Sequence, residues 1–435
     1  MNSSSKIYTL IFIFIFSLQT CFPISAQTSS FFPITWNSPI LLSSPDIPST
    51  YPNIVVDTNN KTSVVWIGKI GYSEKVNYRY RNNFNSWSAI QDISTTVGVY
   101  ATPEKCSMIL DKSNIVHVAW LNSNYDLYYR YLNGTIWSNS QIIAGLNNSG
   151  SFSLASFLDG SIVFVWNTIY NTRNQLFSRC FYPQFNNWSD IIQITKSKGN
   201  CKYVDIAIDS TDQAHLVWVE EIASPYFSGI KYQTFNKTYT FTNETKISTL
   251  DDEEYDNPCI ATDSLNNVHI AWEEKVGYPS YERGLVYRYQ NNGSWSSKKY
   301  FDLYGSATNP VIMCDSNDLL HLLWSEYNSL IYNQIGENGL RSDYDFVITQ
   351  CGGTIPDMVV DDNNIVHILY SADESASEPT YYGINYIVGM RTVLEPTTPP
   401  ISISINLSFQ TIFLMIFGIN SAISIVIIYK KKKNS

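Results

Sequence analysis

Charge is scarce in this chain of 435 residues: Asp, Glu, Lys and Arg make up 15% of it, with 38 acidic residues against 28 basic ones. The resulting net charge of −10 argues against a nucleic-acid partner, because phosphate binding needs clustered Lys and Arg. Histidine is rarer still, at five residues. Cysteine occurs seven times without CxxC or CxxH spacing, so no compact cysteine motif organises the fold. What fills the chain is Tyr, Trp, Ile and Asn, a composition that favours strands and Asn-containing turns over long helices. All-β architectures often use such a length as one unit.

Long apolar runs are confined to the two ends. Lys6 followed by the apolar stretch Ile7 to Leu18, with PISA ending at Ala26, reads as a secretory signal over residues 1–26. At the other end, Leu407 to Tyr429 is apolar apart from a few Ser, Thr, Asn and Gln. As a helix this stretch reaches about 35 Å, enough to cross a hydrocarbon core of about 30 Å. Lys430 to Lys433 follow at once and resist crossing, which keeps this end cytoplasmic. The expected order is signal peptide 1–26, an extracytoplasmic domain 27–389, a Pro/Thr-rich linker 390–404, a transmembrane helix 405–429 and a basic tail 430–435. That places a single-pass protein at the plasma membrane with its bulk outside. Loss of Cys21 with the signal leaves Cys106, Cys180, Cys201, Cys259, Cys314 and Cys351; Cys106, Cys259 and Cys314 fall inside expected strands, as buried thiols do. N-x-S/T sequons begin at Asn60, Asn133, Asn147, Asn187, Asn236, Asn243 and Asn292, suiting a glycosylated outer surface.

Internal similarity dominates the middle. One segment recurs seven times, ending at Trp66, Trp120, Trp166, Trp218, Trp272, Trp324 and Tyr370, with gaps of 54, 46, 52, 54, 52 and 46 residues. A period near 50 residues points to a propeller or another repeat array. Each copy holds a first strand ending in Asp (Asp57, Asp111, Asp209, Asp263, Asp315, Asp361), a short Asn/Ser turn, and a second strand ending on the aromatic residue. A Tyr-rich third strand follows, such as LYYRY at Leu127 or LVYRY at Leu285, and then a fourth opening with Trp. Four such strands form a sheet unable to bury both faces alone; seven packed radially can. The seventh copy lacks its fourth strand, and TWNSPILLS from Thr35 matches the missing pattern. The expectation is therefore an all-β, seven-bladed propeller of four-stranded antiparallel blades, closed by residues 34–43 completing the last blade.

The Asp-ended strand with VHVAW or VHIAW, followed by LVYRYQNNGSWSS, resembles sialidase-like propellers with BNR-type repeats over roughly residues 34–390. The Asp-box of that family is degenerate here: NNGSW at Asn291 and NGTIW at Asn133 keep Gly and Trp without the Asp. The resemblance implies the blade rather than an activity. Sialidase chemistry requires an arginine cluster on the axial strands, yet none of the seven first strands contains arginine, and the family's Arg-Ile-Pro motif is absent. Arg79, Arg130 and Arg288 belong to the repeated third strand.

All five histidines, His117, His215, His269, His321 and His367, stand three residues before the aromatic end of the second strand. Such recurrence fits a structural hydrogen bond to the turn Asp of each blade better than a metal site. Asymmetry lies elsewhere. Just after the aromatic residue, blades four to seven carry Glu220, Glu221, Glu273, Glu274, Glu326, Asp373 and Glu374, accompanied by Tyr226, Tyr278, Tyr281 and Tyr327. Carboxylates beside aromatic rings can bind sugar hydroxyls, recruit Ca²⁺ or attract a basic protein surface; a merely solvated rim is the plainer alternative. These residues make the first expectation a non-catalytic surface receptor or adhesin for a glycan or protein. A divergent glycoside hydrolase using two of the carboxylates, and a structural cell-surface protein, are the alternatives.

Overall fold

A computed structural model describes residues 31–391 except 71–72, 83–85, 95–102, 149, 224–225, 250–253, 277–281, 303–305, 328, 337–338, 343–344, 350–354 and 374–381. The expected signal, linker, apolar segment and basic tail lie outside the described residues. Among the described residues no helix is long and apolar enough to cross a membrane.

Seven antiparallel sheets follow one another along the chain. Blade four shows the pattern: Asn200–Ile208, Ala214–Ala223, Tyr226–Phe235 and Thr245–Lys246 pair in that order. In blades two, three, five and seven the fourth strand is broken into two short pieces, such as Ile136–Trp137 and Gln141–Gly145. The second strand is central, so both its faces are covered; all of Val116–Asn122 is buried. That is why VHVAW and its copies are nearly continuous apolar runs.

The core lies between blades. Seven buried clusters each join one blade to the next, as where Val217, Val219 and Ile230 of blade four meet Ile270 and Trp272 of blade five. The repeated aromatic residue from Trp66 to Tyr370 is buried in every copy. Arginines staple the outer edge. Arg130 donates from Nε to Ser138 O at 2.6 Å in its own blade and from an η nitrogen to Ile93 O of blade one at 2.7 Å. Arg79, Arg179 and Arg288 repeat the arrangement.

Closure occurs as the sequence predicts. Ile34–Trp36 and Ile40–Leu41 pair with Tyr382–Arg391, with Trp36 opposite Gly389. Arg79 of blade one reaches Leu42 O at 2.7 Å, and a cluster of Leu42, Ile54, Val64 and Trp66 with Leu369 and Tyr386 seals blade seven to blade one. Gly389 is required there, since a Cβ would meet Ile34 and Trp36 at 2.6 Å.

At one end of the ring the repeat is strict. Oδ1 of Asp57, Asp111, Asp209, Asp263, Asp315 and Asp361 accepts backbone N–H groups two and four residues on, at 2.7–3.1 Å. The turn then passes through a left-handed residue: Asn60, Asn114, Asp212, Asn266, Asp318 or Asn364, with Gly160 in blade three. Asn and Gly reach this region at little cost, which explains the Asn-rich turns. Each histidine Nε2 lies 3.0–3.4 Å from its turn Asp. Each Nδ1 lies 2.6–2.8 Å from a third-strand tyrosine hydroxyl. Five of the seven blades thus carry one Asp–His–Tyr chain each, the same geometry repeated. Cys106, Cys180 and Cys201 are buried free thiols; Cys259 and Cys314 are free and half-buried.

Candidate functional site

The opposite end of the ring is irregular, and its irregularity centres on the axis. The first strands of adjacent blades face one another there. Register fixes Ile54, Met108, Leu154, Ile206, Ile260, Ile312 and Met358 as equivalent, each opposite an aliphatic or aromatic residue of its second strand. Three residues earlier stand Tyr51, Lys105, Ser151, Tyr203, Asn257, Asn309 and Ile355, all lining an axial cavity of about 650 Å³. Asn167 and Asn174 line it too, from the end of a second strand and the start of a third. The cavity therefore opens on the face where second-to-third-strand turns emerge.

The mouth is shaped by bulges. Pairing of first and second strands slips in blades one, two, four, five and six, between Thr50 and Asn53 or Lys202 and Asp205, for example. Tyr51, Tyr203, Asn257 and Asn309 adopt left-handed φ of 43–52° at these slips. Tyr51, Asn257 and Asn309 precede Pro52, Pro258 and Pro310, a context that ordinarily holds a residue extended. Bulges re-aim side chains and gather near binding sites, and strained φ values persist only where the surroundings enforce them.

Glu273 is one enforcer. Only 1% exposed, its Oε1 accepts from Asn257 Nδ2 and from the Asn309 backbone N–H, both at 2.7 Å. Below the mouth, side chains bridge first strands that share no ladder. Asn53 Oδ1 accepts from Met108 N at 3.0 Å, Asp357 Oδ2 from Ile54 N at 2.8 Å, and Asp205 from Ser153 Oγ at 2.8 Å and Ile260 N at 3.1 Å. Burial pushes Asp357 up to about 7 and raises Asp205 as well; neighbouring N–H groups ease both, and the Asp205 charge adds to the rise at Asp357.

The carboxylates singled out by sequence have mixed fates. Glu274 is 1% exposed and bound to Lys298 Nζ at 2.7 and 2.8 Å and to Trp272 Nε1 at 3.0 Å. Glu220 is buried against Lys231 at 3.0 Å, and Glu221 meets Lys202 at 2.5 Å. Glu326 accepts from Trp324 Nε1 at 3.4 Å, with its carboxyl raised by burial, while the neighbouring Tyr327 is 73% exposed. Glu220, Glu273 and Glu274 thus support the upper face from beneath instead of being displayed on it. Glu374, Tyr278 and Tyr281 lie outside the described residues, as do the side chains of Tyr226 and Asp373. The seven sequon asparagines are all exposed. Among the described residues no group of His, Cys, Asp and Glu is placed to hold a metal ion, so the Ca²⁺ expectation has no geometric counterpart there.

The mouth residues were missed from sequence. Their signal was proline inside apparent central strands, at Pro52, Pro258 and Pro310, where it marks an edge or a bulge.

Solved structures share this fold at low identity. The polysaccharide lyase Uly1 superposes with a TM-score of 0.54 at 10% identity, over 87% of this chain and 95% of that one. A Penicillium chrysogenum α-L-arabinanase complexed with arabinobiose gives 0.50 at 11%, over 81% and 98%. A protein of unknown function from Dyadobacter fermentans gives 0.53 at 9%, over 82% and 99%. Such likeness establishes the class, a seven-bladed β-propeller, and no narrower kinship. No family model and no curated protein matches the sequence. The resemblance to sialidase-like propellers accordingly holds for the propeller and is not specific to that family.

Proposed function

We propose that this chain is a surface-displayed, membrane-anchored propeller that binds a glycan without turnover, at the axial mouth. The observation that carries this reading is the convergence of Tyr51, Tyr203, Asn257 and Asn309 on one cavity through strained bulges. Aromatic faces stack on sugar rings, and amide groups both donate to and accept from hydroxyls. A lyase and an arabinanase using the same fold lend direction to the glycan reading. The exported orientation comes from the signal and anchor segments of the sequence, and the sequons at Asn133, Asn187, Asn236 and Asn292 fall where third strands connect to fourth strands, away from the mouth.

Turnover is disfavoured by where the carboxylates sit. Glycoside hydrolysis needs two of them flanking the scissile bond, and among the described residues Asp357 is the sole carboxylate lining the cavity, with one oxygen engaged by Ile54 N. One observation favours a divergent hydrolase as the second reading: a carboxyl held near 7 resembles a general acid.

The test is a glycan array probed with the full chain in detergent micelles, alongside the Tyr51→Ala/Tyr203→Ala double variant. Specific capture that falls about tenfold or more in the variant, equivalent to about 1.4 kcal/mol, supports the reading. Absence of capture by the wild type, or release of shortened sugars that stops in Asp357→Asn, overturns it.

A further inference from the structure

Among the described residues, the lining of the axial cavity carries three charged groups, Lys105, Lys202 and Asp357, in a protein whose net charge is −10. Two of the three are neutralised or engaged in place. Lys202 Nζ is 2.5 Å from Glu221, and Asp357 is bonded to the Ile54 N–H at 2.8 Å. Lys105 differs. It comes from the first strand of blade two, at the same ring position as Tyr51 and Tyr203, and its Nζ lies 5.7 Å from the centre of the Phe152 ring. Among the described residues it has no ion pair and no hydrogen bond. The carboxylate acting on it through space, Asp205, has its oxygens bound by Ser153 and Ile260. Surrounding protein lowers the affinity of this ammonium for its proton, as expected of a cation lacking a close counter-ion. A half-buried charge of this kind is costly unless something pairs with it.

We infer that Lys105 is the anion-reading group of the mouth, and that the glycan bound there is acidic, carrying a carboxylate or sulfate that pairs with the Lys105 ammonium. The inference rests on the glycan reading above. Stacking on Tyr51 and Tyr203 then positions the sugar ring, the amides of Asn257 and Asn309 engage hydroxyls, and the lysine selects charge. An anion arriving in the cavity completes an ion pair that the fold leaves open, so its binding should depend strongly on salt.

The test uses the full chain in detergent on matched oligosaccharides: a polyuronate and its carboxyl-reduced form, and a sulfated glycan and its desulfated form. The expected result is at least tenfold tighter binding of one charged member over its neutral partner, which also identifies carboxylate or sulfate as the group read. Lys105→Gln should erase that difference, and Lys105→Arg should restore most of it. Should Lys105→Gln fail to fold, judged by its melting transition, the wild type decides. Charged but not neutral sugars must then weaken as salt rises from 0.05 to about 0.5 M, where screening shortens to a few ångströms. Equal capture of charged and neutral sugars, or capture indifferent to Lys105 and to salt, overturns the acidic reading while leaving the glycan reading intact. Absence of capture of any sugar overturns both.

Discussion

The two ends of the propeller are built from the same strands under opposite rules. At the turn end, six Asp residues cap six turns in the same way, and five histidines repeat one relay. At the mouth, the equivalent residues of seven blades are Tyr, Lys, Ser, Tyr, Asn, Asn and Ile. Repetition marks what every blade needs in order to stand, and departure from it marks what the ring as a whole can do once. All five histidines and the six turn aspartates, residue types readily taken for chemistry, belong here to the repeated end.

The ends also titrate in opposite directions. Burial lowers His117, His215 and His321, and hydrogen bonds to their histidines and to turn N–H groups hold Asp111, Asp209, Asp263, Asp315 and Asp361 low against their own desolvation. These groups bind fewer protons folded than unfolded, so the turn end loses stability as pH falls, the histidines first, below about 6.5. Asp205 and Asp357 are raised by burial. Their contribution is complete below the unfolded value and is lost as pH rises, for Asp357 through about 7.

This contrast can be broken in graded steps. The largest effect belongs to the repeated core: Trp218→Ala, at a fully buried position, should cost about 3–5 kcal/mol, read as a lower thermal midpoint. Gly389→Ala comes next. It drives a methyl into Ile34 and Trp36 at the closing seam, for an expected about 1–3 kcal/mol and earlier proteolysis near residue 34. Asp357→Asn should be smaller and dependent on pH. It raises the melting temperature relative to wild type more at pH 8 than at pH 5, with the gain gone below the unfolded value of about 4; a gain equal at pH 5 and pH 8 would refute the assigned shift. Smallest is Tyr203→Ala. At 38% exposure it should move stability by about 0.5 kcal/mol or less, yet weaken sugar capture, and a large loss of stability would return Tyr203 to the structural half.

Sequence made the turn end legible because its signals are local. An Asp, an Asn-rich turn, a histidine and a tryptophan at fixed spacing require one blade to interpret. Closure was legible as well, since a missing fourth strand and an orphan TWNSPILLS segment complement each other. The mouth was not, for two physical reasons. A bulge slips the register, so period-two alternation assigns Tyr51 and Tyr203 to the wrong face of the strand. Convergence on the axis is a property of seven distant segments together. The carboxylates after the aromatic residue stood out in sequence because they break symmetry, and Glu273 does bear on the mouth, but from below, as a brace for Asn257 and Asn309.

The closing seam has a mechanical consequence. Tyr382–Arg391 is held on one side by Ile34–Trp36 and Ile40–Leu41 and on the other by Val366–Asp373. Tension applied at its C-terminal end runs along the strand, so the flanking hydrogen bonds are loaded in shear and resist together instead of unzipping singly. A ring latched in this way can carry traction applied beyond Arg391 without opening, and the blade that joins its first and last strands doubles as its grip.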